Sequence, residues 1–227
     1  MAKKKRKQRK ARRRVLTVDI GGTHVKFEVS GRSERREFAS GPKLTAKRMV
    51  SKVKHLTADW SYDVVSIGYP GMVVRDRVVA EPHNLGPGWA DFDFVKAFGC
   101  PVKVINDAAM QALGSYQNGK MLFLGLGTGL GTTMIVDGVI EPMELAHLPY
   151  RKGKTFEDYV GAAGFKRLGK RKWRRHVIDV IKRLMAALEP EYVVLGGGNV
   201  DKLGKLPPHV RKGDNDNAFT GGYKLWS

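Results

Sequence analysis

The chain has 227 residues, of which 42% are hydrophobic, and its 41 lysines and arginines exceed its 22 acidic residues to give a net charge of +19. This length and composition fit a globular protein of one or two domains and exclude collagen-like, coiled-coil and wholly disordered classes. No apolar run reaches about 18 residues and no apolar segment follows the basic N-terminus, so we expect neither a membrane span nor a secretory signal.

The first segment in chain order is a basic tail. Residues 1–14 contain ten lysines or arginines and no acidic residue, and the remainder of the chain still carries a net charge of +9. The tail lacks apolar periodicity, so we expect it to be disordered. A basic tail and body favour a polyanionic partner, and composition leaves open nucleic acid, inorganic polyphosphate or an anionic membrane.

The first half of the chain alternates between predicted strands and helices. A β-branched run at 15–20 predicts a buried strand that ends at Gly21-Gly22, and alternating apolar residues predict a second strand at 25–29. The further predictions are a strand around 34–38, a helix within 44–60, strands at 63–69 and 102–105, and a helix at 108–116.

The same pattern returns in the second half. The predictions are a strand at 121–126, a glycine-rich turn at 127–132, a strand at 133–136, a hairpin at Asp137-Gly138 that returns through 139–140, helices at 156–166 and 172–188, a strand at 192–195, and a loop-rich end. A strand, glycine turn and hairpin therefore occur twice. The repeat indicates two α/β lobes, at 15–118 and 119–227, with a ligand cleft between them.

The first glycine turn carries the chemistry expected of a phosphate site. Asp19 stands at a strand end and is followed by Gly21, Gly22 and Thr23. Glycines let backbone N–H groups approach phosphate oxygens closely, and an aspartate can hold Mg²⁺ directly or through water. A plain hairpin turn is the alternative, but the second glycine turn at the matching place of the other lobe favours phosphate binding.

Six motifs stand in the order found in ROK-family sugar kinases. They occupy residues 19–23, 68–73, 82–85, 106–108, 126–131 and 144–147. With 153–159 and 213–222 they resemble the short bacterial polyphosphate glucokinases of that family, over about residues 15–226. The resemblance implies an α/β, actin-like (ribonuclease H-like) two-lobe sugar kinase fold with a central interlobe cleft.

The resemblance also implies roles on the sugar side of that cleft. Asp107 matches the catalytic base, and a positioned carboxylate can accept the proton of a sugar hydroxyl as the phosphoryl group transfers. Local sequence alone favours a helix N-cap at least equally well. The implied sugar-binding residues are Asn84, Asn106, Asp107, Glu144, His147 and Glu157, with a structural histidine as the alternative for His147.

The donor side of the cleft takes a larger set of residues. The predicted phosphate-binding residues are Gly21, Gly22, Thr23, Lys26, Gly127, Thr128, Gly129, Gly131 and Thr132. Gly196, Gly197, Gly198 and Asn199 match the nucleotide-side glycine motif and would line a nucleotide or a polyphosphate chain, unless they form a plain loop. Residues 166–176 hold seven lysines or arginines. Within this run we predict that Lys170, Arg171 and Arg174 form a polyphosphate track, with a solvated helix face as the alternative.

One departure from the family concerns zinc. Many ROK proteins carry a cysteine-rich zinc motif just after the segment that matches 144–147, whereas the single cysteine of this chain is Cys100. We therefore expect no zinc, no internal disulfide, and a role for His147 in sugar binding only. One cysteine also fits a cytoplasmic protein.

The sequence thus predicts a glucokinase that transfers a phosphoryl group from inorganic polyphosphate to the 6-hydroxyl of glucose, with Mg²⁺ held by Asp19. ATP stays open as a second donor, and a homodimer stays open as the assembly. The alternatives are an ATP-dependent ROK hexokinase acting on glucose or mannose, and a nucleic-acid-binding protein on a kinase-like fold, which the basic tail would serve.

Overall fold

The computed structural model describes residues 13–227, so most of the predicted tail at 1–14 lies outside the described residues. The strands are β1 (Val15–Ile20), β2 (His24–Val29), β3 (Arg35–Ala39), β4 (Val64–Tyr69), β5 (Val73–Val74), β6 (Arg77–Val78), β7 (Val102–Asn106), β8 (Lys120–Leu126), β9 (Leu130–Val136), β10 (Val139–Met143), β11 (Pro149–Arg151), β12 (Lys154–Thr155), β13 (Tyr192–Gly196) and β14 (Val210–Lys212). The helices are α1 (Ala46–Leu56), α2 (Phe94–Phe98), α3 (Asp107–Ser115), α4 (Phe156–Val160), α5 (Ala162–Leu188) and α6 (Asn217–Lys224), with a 3₁₀ turn at Val200–Lys202. Over 13–227, no helix combines the length and apolar character that crossing a membrane requires.

Two five-stranded sheets share one topology. The first has the order β3-β2-β1-β4-β7 and the second the order β10-β9-β8-β13-β14. In each sheet the first three strands pair antiparallel and the last three pair parallel. The strand, glycine turn and hairpin predicted twice in the sequence therefore occupy equivalent places in the two sheets.

The apolar pattern of each element explains where it packs. The central strands β1 and β4 are buried along nearly their whole length, as expected for strands covered on both faces. Helix α1 begins at the N-cap Thr45 and buries Met49, Val50 and Val53 against the first sheet. Helix α5 buries Trp173 and Val177 in the core of the second sheet. Each sheet thus has its own apolar core.

Helices α3 and α6 pack between the two sheets. Helix α3 contacts β4 and β7 of the first sheet and β8 and β9 of the second, whereas α6 packs on α3, β1 and β4. A Cβ atom at Gly114 would collide with the carbonyl oxygen of Asn217, and one at Gly221 with that of Met110. The proposed lobe boundary at 118/119 therefore separates the sheets, while α6 returns from the second half of the chain to the first sheet.

Substitution of Gly221 by Ala is expected to destabilise the protein by about 1–3 kcal/mol, because the added methyl group forces α3 and α6 apart. The free energy of unfolding in urea measures this effect. Gly198→Ala is the matched control, since a Cβ there meets no atom within 4 Å. Equal unfolding free energies for the two variants would contradict the packing described for Gly221.

The structure corrects two element predictions. The end of the chain is not merely loop-rich, because β14 and α6 form there; Gly221 and Gly222 resemble helix breakers in sequence but allow the close approach of α6 to its neighbours. The predicted helix at 156–166 is divided at Gly161, with α4 started by a capping box between Thr155 and Asp158. The predicted interruption between residues 166 and 172 is present as a kink at Gly169. Only Gly169, at φ +71°, departs from helical geometry within α5.

Candidate active site

Two carboxylates meet at one edge of the first sheet. Asp19 stands near the end of β1 and Asp107 follows β7 as the first residue of α3. The parallel register places Asp19 opposite Gly68 on β4, and Gly68 opposite Ile105 on β7. A Cβ at Gly68 would lie 3.4 Å from the Asp107 Cα. The absence of a side chain at Gly68 therefore lets the start of α3 approach the strand that lies between the two aspartates.

Asn106, and not Asp107, caps helix α3. The Asn106 Oδ1 accepts the backbone N–H of Ala109 at 3.1 Å, and its Nδ2 donates to the carbonyl oxygen of Gly71 at 3.1 Å. The N-cap role that was the alternative for Asp107 is therefore taken by Asn106. The Asp107 Oδ1 accepts the N–H of Ala108 at 2.8 Å, which helps to fix the orientation of the carboxylate.

The surroundings of the two aspartates raise their pKa values. Burial raises the pKa of Asp107 to about 7, and the negative charge of Asp19 adds to the rise. Burial raises the pKa of Asp19 to about 6, against the opposing charges of Lys26 and Arg35. Lys26 lies directly opposite Asp19 in the β1–β2 ladder. A carboxylate with a pKa near neutrality is well matched to accept a proton at physiological pH.

The two predicted phosphate turns occupy equivalent hairpins. In the β1–β2 turn the Gly21 N–H donates to the His24 carbonyl at 2.9 Å, which leaves Gly22 and Thr23 exposed. In the β8–β9 turn the Gly127 N–H donates to the Gly129 carbonyl at 3.2 Å. The second turn reaches the start of α3, because a Cβ at Gly131 would lie 2.7 Å from that of Ala108. It therefore approaches the carboxylates of the first sheet.

Thr132 does not fit the phosphate contact predicted for it. Its side chain is buried, and its hydroxyl donates to the Met143 carbonyl at 2.6 Å and accepts the Leu145 N–H at 3.2 Å. These bonds attach β9 to the chain that follows β10, so the hydroxyl supports the fold. Thr128, by contrast, is exposed at the tip of the same turn.

The segment 196–199 lies against the second phosphate turn. The Asn199 Nδ2 donates to the Gly127 carbonyl at 3.0 Å, and the Asn199 N–H donates to the Leu126 carbonyl at 3.0 Å. Gln111, which was not among the predicted site residues, is a neighbour of this segment, because a Cβ at Gly196 would lie 2.9 Å from its Oε1. Gln111 lies four residues after Asp107, so both lie on one face of α3, and this spacing could have identified it from the sequence.

Glu157 links the second phosphate turn to the 144–147 segment. Its Oε2 accepts the Leu130 N–H at 3.0 Å, and its own N–H donates to the Ala146 carbonyl at 3.0 Å. In that segment Glu144 and His147 are exposed, and their side chains approach to 3.9 Å. Asn84 is exposed in a separate loop, and across residues 13–227 no hydrogen bond joins it to the other predicted sugar residues.

A cationic groove follows one face of α5. Lys170, Arg171, Arg174, Arg175 and Ile178 line a concave region of about 560 Å³. Over the described part of the chain, none of these four cations forms an ion pair with a carboxylate. The helix begins at the phosphate turn, where the Ala162 N–H donates to the Thr128 carbonyl at 3.0 Å. The predicted polyphosphate track lies on the part of α5 that follows the Gly169 kink, and the part before the kink starts beside Thr128.

The carboxylates at this edge of the sheet suit Mg²⁺ better than a metal ion that takes all its ligands from protein side chains. Within the residues described, no group of three or more His, Cys, Asp or Glu side chains is placed to hold a metal ion. Mg²⁺ is commonly held by one or two carboxylates with water and substrate phosphates. Asp19 could supply such a carboxylate next to Asp107, while the absence of zinc stays a prediction.

Several known proteins are similar in sequence to this chain. A glucokinase from Pyrobaculum calidifontis is 27% identical, covering 87% of this chain and 85% of that protein. A polyphosphate glucokinase from Mycobacterium tuberculosis is 27% identical, covering 84% and 80%. A bifunctional enzyme NanE/NanK from Brucella melitensis is 30% identical over 141 residues, but this chain spans only 27% of its length.

The fold and the family follow from two further matches. The crystal structure of an inorganic polyphosphate/ATP-glucomannokinase from Arthrobacter sp. strain KM superposes with a TM-score of 0.80 at 23% identity, covering 94% of this chain and 98% of that one. This likeness confirms the predicted actin-like α/β fold. A family model described as ROK family matches residues 15–141. The chain belongs to the ROK family.

Proposed function

We propose that this chain is a sugar kinase that transfers a phosphoryl group from inorganic polyphosphate to the 6-hydroxyl of glucose, with ATP as a second donor. The observation that carries the proposal is the state of Asp107. Asn106 takes the helix cap in its place, its pKa is raised to about 7 by burial and partly by the nearby charge of Asp19, and the neighbouring Ala108 contacts the glycine turn of the second sheet.

In the proposed reaction Asp107 accepts the proton of the sugar hydroxyl as that oxygen bonds to the terminal phosphorus. The bond from this phosphorus to the bridging oxygen breaks, and the donor leaves shortened by one phosphate. The Ala108 N–H holds one carboxylate oxygen, so the other faces the hydroxyl without a search of orientations. Mg²⁺, when bound near Asp19, neutralises charge on the transferring phosphoryl group. The backbone N–H groups at the exposed tips of the two turns, at Gly22, Thr23 and Thr128, would receive the phosphate oxygens.

The proposed sugar site combines the 144–147 segment with Glu157, Asn84 and Asn106. Carboxylate, imidazole and amide groups suit a sugar, whose hydroxyls each donate and accept. Glu157 supports this placement because it contacts both the 144–147 segment and the phosphate turn. A hydroxyl bound there would approach both Asp107 and the donor.

The donor proposal depends on charge. The groove on α5 presents four cations and suits a linear polyanion. It lies beyond the Gly169 kink of a helix whose first residue contacts the phosphate turn. Similarity to a polyphosphate glucokinase and to a polyphosphate/ATP-glucomannokinase supports the same donor. A nucleotide would place its adenosine or α-phosphate near 196–199 instead. The cytoplasmic location, the homodimer and nucleic-acid binding by the tail stay predictions.

Product analysis tests the acceptor assignment. Phosphorus NMR of a reaction with glucose, polyphosphate and Mg²⁺ is expected to show glucose 6-phosphate. The analogue 6-deoxyglucose, which lacks the acceptor oxygen, should yield no sugar phosphate. A phosphorylated 6-deoxyglucose would contradict the assignment of the 6-hydroxyl.

Glu144→Gln and His147→Ala are each expected to raise the glucose KM by about 5- to 100-fold, the equivalent of losing one hydrogen bond worth about 1–3 kcal/mol. The donor KM should stay near the wild-type value, since both side chains are assigned to sugar hydroxyls. Steady-state kinetics with each substrate varied measure the split. His55→Ala, an exposed histidine on α1, is the control. A rise confined to the donor KM would show that the two sites have been exchanged.

A further inference from the structure

The hairpin β11–β12 connects the two parts of the proposed sugar site. It begins just after His147 and ends just before Glu157, so its position affects both residues. Its ends are joined by a hydrogen bond from the Phe156 N–H to the Leu148 carbonyl at 3.1 Å. The Glu157 N–H then bonds to the Ala146 carbonyl at 3.0 Å. Whatever fixes this hairpin therefore fixes the spacing of the sugar-binding groups.

The side chain that fixes the hairpin is Tyr150. Its hydroxyl donates to the Asp179 Oδ2 at 2.6 Å and lies 2.9 Å from the His176 Nδ1. His176 and Asp179 stand one turn apart on α5. Arg151 and Arg183 approach the same Asp179 oxygen at 3.2 Å and 3.1 Å, which holds the acceptor in place. A hydrogen bond from a hydroxyl to an ionised carboxylate is stronger than one between two neutral groups.

The ring of Tyr150 is held separately from its hydroxyl. Its centroid lies 5.4 Å from that of Phe156, 5.0 Å from that of Tyr159 and 5.6 Å from that of His176, all in edge-on contacts. These contacts do not need the hydroxyl. Removing the oxygen alone should therefore leave the aromatic cluster packed and the Arg151–Asp179 contact in place, and release only the hydrogen bond of the hydroxyl to Asp179.

We propose that Tyr150, His176 and Asp179 are positioning residues for the sugar site: they attach the β11–β12 hairpin to α5 and thereby set Glu144, His147 and Glu157 at the distance from Asp107 that glucose requires. The inference rests on the proposed function, which supplies the sugar. None of the three residues needs to touch the substrate. The rigid helix α5 carries them, and a positioned site loses affinity when its support is loosened.

The experiment compares two single-atom deletions in one aromatic cluster. Tyr150→Phe removes the hydroxyl that bonds Asp179, whereas Tyr159→Phe removes a hydroxyl that forms no hydrogen bond within residues 13–227. Tyr150→Phe is expected to raise the glucose KM by about 5- to 30-fold with an unchanged donor KM, and Tyr159→Phe should leave both near wild type. The two variants should unfold at closely similar temperatures.

A double substitution and direct binding complete the test. Asp179→Ala should raise the glucose KM at least as much as Tyr150→Phe, because it also removes the contact of Arg151 with α5. The double variant should be no worse than Asp179→Ala alone, since both single changes remove the bond between Tyr150 and Asp179. Equal glucose KM and equal calorimetric glucose affinity for Tyr150→Phe and Tyr159→Phe would overturn the inference. Failure of the wild-type chain to phosphorylate any sugar would instead overturn the proposed function, and the calorimetric comparison would still decide the role of Tyr150.

Discussion

Replacing Asp107 with Asn lowers kcat by about 10²–10⁴-fold in our account, the usual contribution of a general base, while glucose binding stays measurable. The amide retains the shape of the side chain and its contact with Ala108 but cannot take a proton from the sugar hydroxyl. Steady-state kinetics and glucose titration of the same preparation measure the two effects. Asp137→Asn, at an exposed hairpin tip, is the matched control. A turnover within a few-fold of wild type would remove Asp107 from the reaction.

The same substitution should stabilise the fold at alkaline pH. The pKa of Asp107 is raised from 3.8 to about 7 in the folded protein, so the folded state binds a proton more tightly than the unfolded chain between these values. The folded state therefore loses stability as pH rises from about 4 to 7. At pH 8 the free energy of unfolding in urea should be higher for Asp107→Asn than for the wild type, by up to about a few kcal/mol. This difference should vanish near pH 4. A lower free energy of unfolding for Asp107→Asn than for the wild type at pH 8 would show that burial does not disfavour the ionised form of Asp107.

Reversing Lys170, Arg171 and Arg174 to Glu should lower kcat/KM for long polyphosphate by at least about 10²-fold at low salt, because several cations of the groove neutralise successive phosphates. With ATP, which makes fewer such contacts, kcat/KM should change by no more than a factor of a few. The polyphosphate defect should shrink as salt rises to about 0.3 M, where the Debye length falls below 10 Å.

A charge-matched control separates the groove from the net charge. Reversing Lys47, Arg48 and Lys52, which are exposed on α1, changes the total charge by the same amount. This variant should keep most of its polyphosphate activity. Equal losses in the two triple variants would mean that the run on α5 is a solvated face and that only the overall field attracts the donor.

The strand modules could be predicted because their signals are local. A short apolar run followed by a glycine turn stands at β1 and again at β8, and in each case the run and the turn lie within a few positions of each other. Helix α6 could not be predicted in this way. Its Gly221 resembles a breaker until α3 is placed against it, since only then does the missing side chain become a packing requirement.

Sequence reasoning names candidate site residues but not how they are arranged. Asn106 and Asp107 are both good N-cap residues, and local sequence cannot choose between them. The choice depends on the β4–β7 register and on the Gly71 carbonyl that receives the Asn106 amide. Similarly, no local pattern joins Glu157 to Leu130 or Tyr150 to Asp179, because those contacts exist only once the second sheet and α5 have packed.

The most direct measurement of the central claim is glucose 6-phosphate formation by the purified chain, followed with a coupled dehydrogenase, with Mg²⁺ and either polyphosphate or ATP as donor. Our account predicts product with polyphosphate, a steep decline of polyphosphate kcat/KM with salt, and a shallower response for any ATP activity. Activity with ATP alone and no salt dependence would contradict the donor assignment. No glucose 6-phosphate with either donor would contradict the account as a whole.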